Sequence, residues 1–440
     1  MTLPMIVGIL ALISNSIVDT YFVSTLGTDA LSALSFTFPV IMVVASLSIG
    51  LGAGASSVVS RTIGRGDREA VKRRSTDALI LSVLAVTLLV IVGRLTIRPL
   101  FSLLGAEGAV LDLIVEYMTI WYYGMPMLVL PMVGGSLMRA AGDARIPGML
   151  MVAGAIINIV LDPILIFGLL GAPRLEVAGA ALATVIANGV GAVAALAVLH
   201  FRERMLTLHL ASWQDMMQSF SKVLHVGLPA AAANMINPLG IGLLTAMLAA
   251  FGKESVAGFG VATRIEALAN VGLLALSASI GPVIGQNWGA RKVDRVYRTL
   301  KRAYQFCLVY GLVLAALVAL SATLLTGIFT DSETVARVAR QYLWIVPVTA
   351  FGFGINIAGA AALNAAARPM ISTGLTVARM FIVAIPVAYV MSRSFGQVGI
   401  FIGVAAANLC AAGLTIWATY RTVRINLGDE RSLREQGNDR

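Results

Sequence analysis

The sequence predicts an all-α membrane protein with twelve transmembrane helices, arranged as two pseudo-symmetric six-helix bundles. Three observations predict this fold: the composition, the length of the apolar runs and an internal repeat. Of the 440 residues, 58% are hydrophobic and only 12% are charged, whereas a soluble domain carries about 25% charged residues. The apolar runs reach about 20 residues, the length of a helix that crosses a bilayer, while a barrel strand would need only about 10 residues of alternating pattern.

The apolar runs are separated by short polar or glycine-containing segments, which mark the ends of the predicted helices. We predict transmembrane helices, called spans one to twelve, at residues 3–24, 29–59, 76–98, 110–138, 147–170, 177–200, 223–249, 255–285, 302–325, 334–362, 369–391 and 398–420.

An internal repeat relates the two halves of the chain. Leu3-Pro4 at the start of the first span matches Leu228-Pro229 at the start of the seventh, and Asn188 in the sixth span matches Asn408 in the twelfth. An offset of about 220 residues covers six helices, so the two halves should cross the membrane in the same orientation. We therefore expect two parallel copies of one six-helix bundle.

The polar segments suggest where these copies begin and end. We expect an N-terminal lobe at residues 1–200, a polar linker at 201–222, a C-terminal lobe at 223–420 and a polar tail at 421–440. The linker is the polar stretch between spans that is long enough to separate two bundles.

The net charge of +10 is unevenly distributed along the chain. Most Lys and Arg residues fall in alternate connections, above all in the loops at 61–75 and 286–302, in the linker and in the tail. Basic loops stay on the cytoplasmic side of a membrane, so we expect a multi-pass protein of the cell (inner) membrane with both termini in the cytoplasm. This alternation argues against a nucleic-acid partner, which would require a continuous basic surface.

Two acidic residues lie inside predicted spans. Asp19 is in the first span and Asp162 is near the centre of the fifth. A charge at that depth costs about 2.5 to 3.5 kcal/mol on insertion scales, so such a residue normally faces a cavity and has a function. The aligned positions in the second half are Leu244 and an apolar position around Ile385. Because only one half has the acids, we favour a functional role over a purely structural hydrogen bond.

Amide and hydroxyl side chains accompany the two acids. Asn15 lies four residues before Asp19, and Asn158 lies four residues before Asp162, so each pair shares one helix face. Thr184 and Asn188 have the same spacing in the sixth span. If the first, fifth and sixth spans pack together, these oxygens can bind H⁺ or Na⁺, because hard cations prefer oxygen ligands and two neighbouring carboxylates favour protonation. The predicted ion-coupling site is Asp19, Asn158, Asp162 and Thr184, with Asn15 and Asn188 as secondary members.

Four segments of the chain together form a recognisable pattern: Ile17 to Gly27, Arg139 to Pro147, Asn158 to Pro163 and Gly179 to Thr184. With them the chain resembles the multidrug and toxin extrusion (MATE) exporters of the multidrug/oligosaccharidyl-lipid/polysaccharide (MOP) flippase superfamily. The resemblance covers essentially the whole chain. It implies a secondary exporter that exchanges organic cations and amphipathic toxins for H⁺ or Na⁺, with no cofactor. The expected partners are small molecules and the lipid bilayer, and we expect a monomer.

The resemblance also implies roles for individual residues. Asp19, Asn158 and Asp162 look like the N-lobe positions of a prokaryotic branch, with Thr184 as a fourth member and Pro4 at the position where the first span bends. In the second half, Glu266 resembles a C-lobe acid of the family. An alternative is that Glu266 balances the charge of the nearby Arg264. Arg379 can tune a cavity or pair with a backbone carbonyl.

Two other functions share some of these features. A lipid-linked oligosaccharide flippase of the same superfamily should hold pyrophosphate with several intramembrane Arg or Lys residues, and only Arg264 and Arg379 lie inside predicted spans. An intramembrane protease would need its aspartates in a span motif, but the Gly-x-Gly-Asp string at 64–67 is in a basic loop. We therefore expect a transporter and not an enzyme.

Overall fold

The structure is a computed structural model that describes residues 2–209 and 212–438, with side chains as far as 425. The described residues form fifteen α-helices joined by short loops, 3₁₀ turns and π turns. The helices are α1 (Thr2–Ser24), α2 (Thr28–Arg65), α3 (Arg68–Leu103), α4 (Gly108–Ala141), α5 (Arg145–Phe167), α6 (Glu176–Ala197), α7 (Trp213–Ala249), α8 (Lys253–Ala269), α9 (Val271–Gly289), α10 (Val293–Phe329), α11 (Glu333–Ile345), α12 (Ala350–Ala365), α13 (Pro369–Val377), α14 (Ile385–Phe395) and α15 (Gln397–Asn438).

These helices supply the predicted twelve spans. Eleven continuous or nearly continuous helices are long and apolar enough to cross a membrane, and α8 with α9 form a twelfth span bent by 47°. The predicted all-α membrane fold is thus confirmed. The other interrupted spans contain a 3₁₀ turn at Pro347–Thr349, between α11 and α12, and a π turn at Ala378–Ala384, between α13 and α14.

The bend in the eighth span was not predicted, because its sequence has no proline at the break. Asn270 separates α8 from α9, and its backbone N–H donates to the carbonyl of Glu266 at 2.9 Å. Its side chain also bonds to the Glu266 carboxylate. Asparagine competes with regular helix by hydrogen-bonding to nearby groups, which makes it a suitable junction residue.

The chain folds into two compact units. The first unit consists mainly of Leu3–Ile63 and Asp67–Ala231, and the second mainly of Ala232–Arg440. The boundary falls inside α7, whereas the sequence placed the separation in a linker at 201–222. The early turns of α7 belong to the first unit because they pack closely on α2, where a Cβ on Gly54 would overlap the carbonyl oxygen of Val223. Within the predicted linker, residues 210–211 lie outside the described part of the chain.

The first unit has one apolar core, in which α4 packs along α3 and α6. Small residues let the helices approach, as expected where membrane helices pack without a hydrophobic driving force between them. At Gly124 an added Cβ would overlap the side chain of Val185 on α6. The largest fully buried side chains of this core include Leu51, Phe101, Met118, Met125, Leu137 and Met138.

The second unit is built around α12, which packs against α9, α10 and α15. A Cβ on Gly311 of α10 would lie 2.5 Å from the backbone nitrogen of Phe351, so this pair of helices is also in backbone contact. An aromatic group of Phe259, Tyr342 and Phe401 joins α8, α11 and α15. The helix α15 continues from its apolar part into the predicted tail, whose side chains after 425 and residues 439–440 lie outside the described part.

Candidate functional site

The fifth span carries an acid and an amide that are both removed from the surface. Asp162 has no exposed surface and Asn158 is 2% exposed. Both lie on α5, one helical turn apart, and Asn158 Nδ2 donates to Asp162 Oδ1 at 3.3 Å. The pairing that the spacing predicted is therefore present inside the first unit.

Thr184 on α6 completes the contact between two helices. Asn158 Nδ2 also lies 3.4 Å from Thr184 Oγ1, so a single amide bonds to groups on α5 and α6. Asn188 behaves differently from the prediction, because its Nδ2 donates to the backbone carbonyl of Thr184 at 2.8 Å. The Asn188 amide thus bonds within its own helix, and it makes no hydrogen bond to Asp19 or Asp162 among the described residues.

Asp19 on α1 is the second acid of this unit. It is partly buried and lies on α1, while Asp162 lies on α5 of the same unit. Asn15 lies one turn before Asp19 on the same helix, as predicted. No hydrogen bond between Asn15 and Asp19 is present among the described residues.

Unpartnered acceptor atoms define the chemistry of this cluster. On α1 and α5, four buried oxygens have no hydrogen-bond donor in the described structure: Asn15 Oδ1, Asp19 Oδ1, Asn158 Oδ1 and Asp162 Oδ2. Buried polar atoms are normally satisfied, so each exception needs an explanation. Here the shared property is a surplus of oxygen acceptors over donors, which suits a bound proton or a hard cation such as Na⁺. We call Asp19, Asn158, Asp162 and Thr184 the acid cluster.

A residue that the sequence analysis missed lies beside the acid cluster. Tyr117 of α4 is 4% exposed, and its phenol interacts electrostatically with both Asp19 and Asp162. Its hydroxyl can donate to or accept from a neighbour. Nothing in the sequence separates Tyr117 from the other aromatic residues of α4, of which Trp121 and Tyr122 pack in the core and Tyr123 is exposed.

Pro4 lies in the first turn of α1, and α1 is described as one continuous helix from Thr2. Proline is tolerated in a first turn because its missing N–H would have no partner there. An added Cβ on Gly148 of α5 would lie 2.5 Å from the carbonyl oxygen of Pro4, so α1 and α5 are in backbone contact at this end. A bend of the first span at Pro4 stays a prediction.

The second unit holds a different polar group around Glu266. Tyr342 donates to Glu266 Oε2 at 2.5 Å, and Asn270 donates to Oε1 at 3.4 Å. Arg264 is exposed and makes no ion pair with Glu266 among the described residues, and a charge balance between these two residues stays a prediction. The cation that interacts with Glu266 is Arg379.

Arg379 also departs from the suggested pairing with a backbone carbonyl. Its Nη1 donates to Asn408 Oδ1 at 2.9 Å and its Nη2 donates to Asn237 Oδ1 at 2.7 Å. Both partners are side-chain amides, from α15 and α7. The second unit therefore presents a held cation where the first unit presents acids.

A known family model matches both halves of the chain. The MatE family model matches at residues 4–164 and again at residues 229–390. This chain belongs to the MATE family. The two matches lie in the two halves of the chain, as the internal repeat predicts, and MATE proteins are transporters rather than enzymes.

Individual MATE relatives extend over almost the whole chain. A protein of Shewanella oneidensis named FAD transporter is 40% identical over 409 residues, covering 93% of this chain and 90% of that protein. The multidrug export protein MepA of Staphylococcus aureus is 26% identical, with 93% and 90% coverage. Among solved structures, the Vibrio cholerae MATE transporter VcmN in the bent form is 31% identical, with a TM-score of 0.91 and coverage of 97% and 96%. This MATE chain is therefore a membrane transporter of small molecules.

Proposed function

We propose that this MATE protein is a secondary exporter driven by H⁺ or Na⁺, with the acid cluster as the coupling site. The observation that carries the proposal is the set of unpartnered buried oxygens on Asn15, Asp19, Asn158 and Asp162. A bound cation would coordinate these acceptors, and a proton on one carboxyl would supply an O–H donor to a neighbouring acceptor. Loss of the ion would leave acceptors unsatisfied at a cost of about 1 to 3 kcal/mol each. Binding or loss of the ion therefore changes the stability of the helix arrangement around the site.

The coupling residues have distinct roles in this proposal. Asp19 and Asp162 carry the charge that the ion neutralises, and they lie on α1 and α5. Asn158 orients Asp162 through its amide N–H and offers its own carbonyl oxygen to the ion. Thr184 on α6 accepts a hydrogen bond from the same Asn158 amide and so helps to hold it in place. Loading the site should draw α1 toward α5 and α6, because the ion would have ligands on all three helices.

Export requires that ion and substrate bias one conformational equilibrium in opposite directions. The outward-open state would take up the ion at the acid cluster and release substrate. Return to the inward-open state would release the ion to the cytoplasm and admit a new substrate.

Two substrate classes are supported by relatives. Drugs of several kinds are suggested by the multidrug export protein from Staphylococcus aureus, and the resemblance to MATE exporters implies organic cations and other amphipathic compounds. A flavin dinucleotide is the second candidate, since the relative from Shewanella oneidensis at 40% identity is named FAD transporter. We propose a place in the cell membrane with both termini in the cytoplasm, from the distribution of basic loops.

The proposal is tested by efflux from proteoliposomes under a pH gradient and, separately, a Na⁺ gradient. A fluorescent organic cation and FAD serve as substrates, and the variants are Asp19→Asn and Asp162→Asn. The gradient that drives efflux by the wild type identifies the coupling ion. An at least tenfold lower efflux by either variant supports the coupling site. The control is Asp112→Asn, since Asp112 is an exposed partner of Arg98. Gradient-driven efflux that persists in both variants would refute the coupling site.

A further inference from the structure

The second unit contains an arginine inside a membrane span that is held rigidly. Arg379 lies in the π turn at Ala378–Ala384, an insertion of the kind that often occurs at functional sites in helices. Its Nη1 and Nη2 donate to Asn408 and Asn237. Asn408 is itself oriented, since its Nδ2 donates to Thr349 Oγ1 at 3.1 Å. The guanidinium is thus fixed by three other elements of the unit.

Close packing around the π turn adds to this rigidity. A Cβ on Gly240 of α7 would overlap the sulfur of Met380, the residue after Arg379. Glycine at 240 lets α7 approach the π turn, and it brings Asn237 of the same helix within hydrogen-bond distance of Arg379. Close packing of α7 on the Met380 side chain and the bond from Asn237 therefore hold Arg379 in place together.

The charge of Arg379 is not neutralised by a direct ion pair. None of the ion pairs in the described part of the chain includes Arg379. Glu266 attracts it electrostatically, but both Glu266 oxygens already accept hydrogen bonds from Tyr342 and Asn270. Two neutral amides supply the contacts of Arg379 instead. A cation inside a membrane span without a direct counter-ion is costly and normally marks a functional site.

Part of the guanidinium remains available to a ligand. Nη1 and Nη2 each carry two N–H groups and use one of them for the bonds to Asn408 and Asn237, so one N–H on each can still donate to a ligand. The side chain is partly exposed, and its Cζ lies 5.3 Å from the ring centre of Phe353. An arginine fork with donors to spare binds phosphate through paired hydrogen bonds, and an adjacent aromatic ring can stack on a planar ligand.

We propose that Arg379 and Phe353 recognise the phosphate and the planar ring of a transported substrate, so that this protein selects phosphate-bearing aromatic compounds. The inference rests on the proposed function as an exporter and names the substrate class of the second unit. Asn237 and Asn408 act as positioning residues that hold the guanidinium. Glu266 opposes anion binding, because its carboxylate competes for the same cation. The two units then bind opposite charges, the ion in the first and the substrate anion in the second.

Flavin mononucleotide and riboflavin form a matched pair of probes, since they differ only by the phosphate. Binding of each to the purified full-length protein in lipid nanodiscs is followed by flavin fluorescence. We expect the wild type to bind flavin mononucleotide at least tenfold more tightly than riboflavin. This preference should fall at least tenfold in Arg379→Gln and should be partly kept in Arg379→Lys, which retains the charge and loses the fork.

Two further variants separate recognition from folding. Glu266→Gln should strengthen binding of flavin mononucleotide and leave riboflavin unchanged, because it removes the competing negative charge. The matched control is Arg393→Gln, an exposed arginine of the same unit whose Cζ lies 4.7 Å from the ring centre of Tyr389. It should leave the preference unchanged. A purely structural Arg379 would lower the binding of both flavins equally.

The outcomes distinguish this inference from the proposed export activity. Equal binding of the two flavins by wild type, or no binding of either by protein that exports a cationic dye, would overturn the anion site. An equal loss of binding affinity for both flavins in Arg379→Gln would also overturn the anion site. If the wild type binds flavin mononucleotide more tightly than riboflavin but shows no ion-driven efflux, the anion site is supported and the proposed coupling is not.

Discussion

Asn158 donates one amide group to two neighbours, Asp162 on its own helix at 3.3 Å and Thr184 on α6 at 3.4 Å. Because the amide N–H groups face these oxygens, the Asn158 carbonyl oxygen is left as a buried acceptor without a partner among the described residues. The arrangement therefore fixes the orientation of an acceptor beside the Asp162 carboxylate. Asn158 also connects α5, which carries Asp162, to α6, which carries Thr184.

Replacing Asn158 with leucine should weaken ion binding. Asn158→Leu removes one oxygen ligand and the donor to Asp162, so we expect the apparent affinity for the coupling ion to fall at least tenfold. Thr184→Val removes a single hydrogen bond, worth about 1 kcal/mol, and should cost about fivefold. The measurement is the increase in Tm of purified protein with ion concentration, since a ligand stabilises the state that binds it.

The matched control for this prediction is Asn188→Leu on the same helix as Thr184. The Asn188 amide bonds to a backbone carbonyl, so the ion dependence of Tm should stay within about twofold of wild type, since the acid cluster loses no ligand. A loss as large as that of Asn158→Leu would mean that Asn188 belongs to the ion site after all.

Close contact between α1 and α5 should be sensitive to one methyl group. A Cβ on Gly148 would lie 2.5 Å from the carbonyl oxygen of Pro4, so Gly148→Ala must push α1 away from α5. We expect it to destabilise the protein by about 1 to 3 kcal/mol, as overpacking does elsewhere. Efflux should also fall, because α1 carries Asp19. Thermal unfolding and efflux of the same preparations check both effects.

Gly154 provides the control on the same helix. Nothing lies within 4 Å of a Cβ at this position, so Gly154→Ala should leave Tm unchanged or raise it slightly, given the higher helix propensity of alanine. Equal Tm values for the two variants would show that α1 does not rest against α5 as described.

Much of this fold could be predicted from sequence because it depends on patterns that recur along the chain. Apolar run length and the repeat predicted the spans, and i, i+4 spacing predicted the contact between Asn158 and Asp162. The bend at Asn270 could not be predicted in this way. The break lies at Asn270, whose side chain bonds to that of Glu266, and helix periodicity contains no information about where such a break falls.

Contacts between residues far apart in the sequence also could not be predicted from sequence patterns. Spacing placed Asn188 on the same face as Thr184, but the choice between a backbone partner and the acids depends on local geometry. Tyr117 approaches the acids only because α4 packs in the same unit. The partners of Arg379 lie 142 and 29 residues away, and no local pattern connects them.

Glu266 should not be required for ion coupling. Both of its oxygens accept hydrogen bonds, from Tyr342 and Asn270, whereas Asp162 has an oxygen without a partner among the described residues. We therefore expect Glu266→Gln to keep the response to the driving gradient and Asp162→Asn to lose it. Efflux of a cationic dye at a series of gradient strengths measures this response. If Glu266→Gln abolished the response while Asp162→Asn kept it, the coupling site would lie in the second unit.

The orientation of the protein is testable at the two ends of α3. Arg68 begins this helix in the basic connection from α2, and Glu107 follows it in the connection to α4; both are exposed. Because α3 crosses the membrane once, cysteines at these positions must lie on opposite sides. In a variant with Cys307→Ala and Cys410→Ala, the only native cysteines are removed. An impermeant maleimide should then label Glu107→Cys in intact cells, and it should label Arg68→Cys only after the membrane is opened, since basic loops remain in the cytoplasm. Labelling in the reverse order would place both termini outside the cell and refute the proposed orientation.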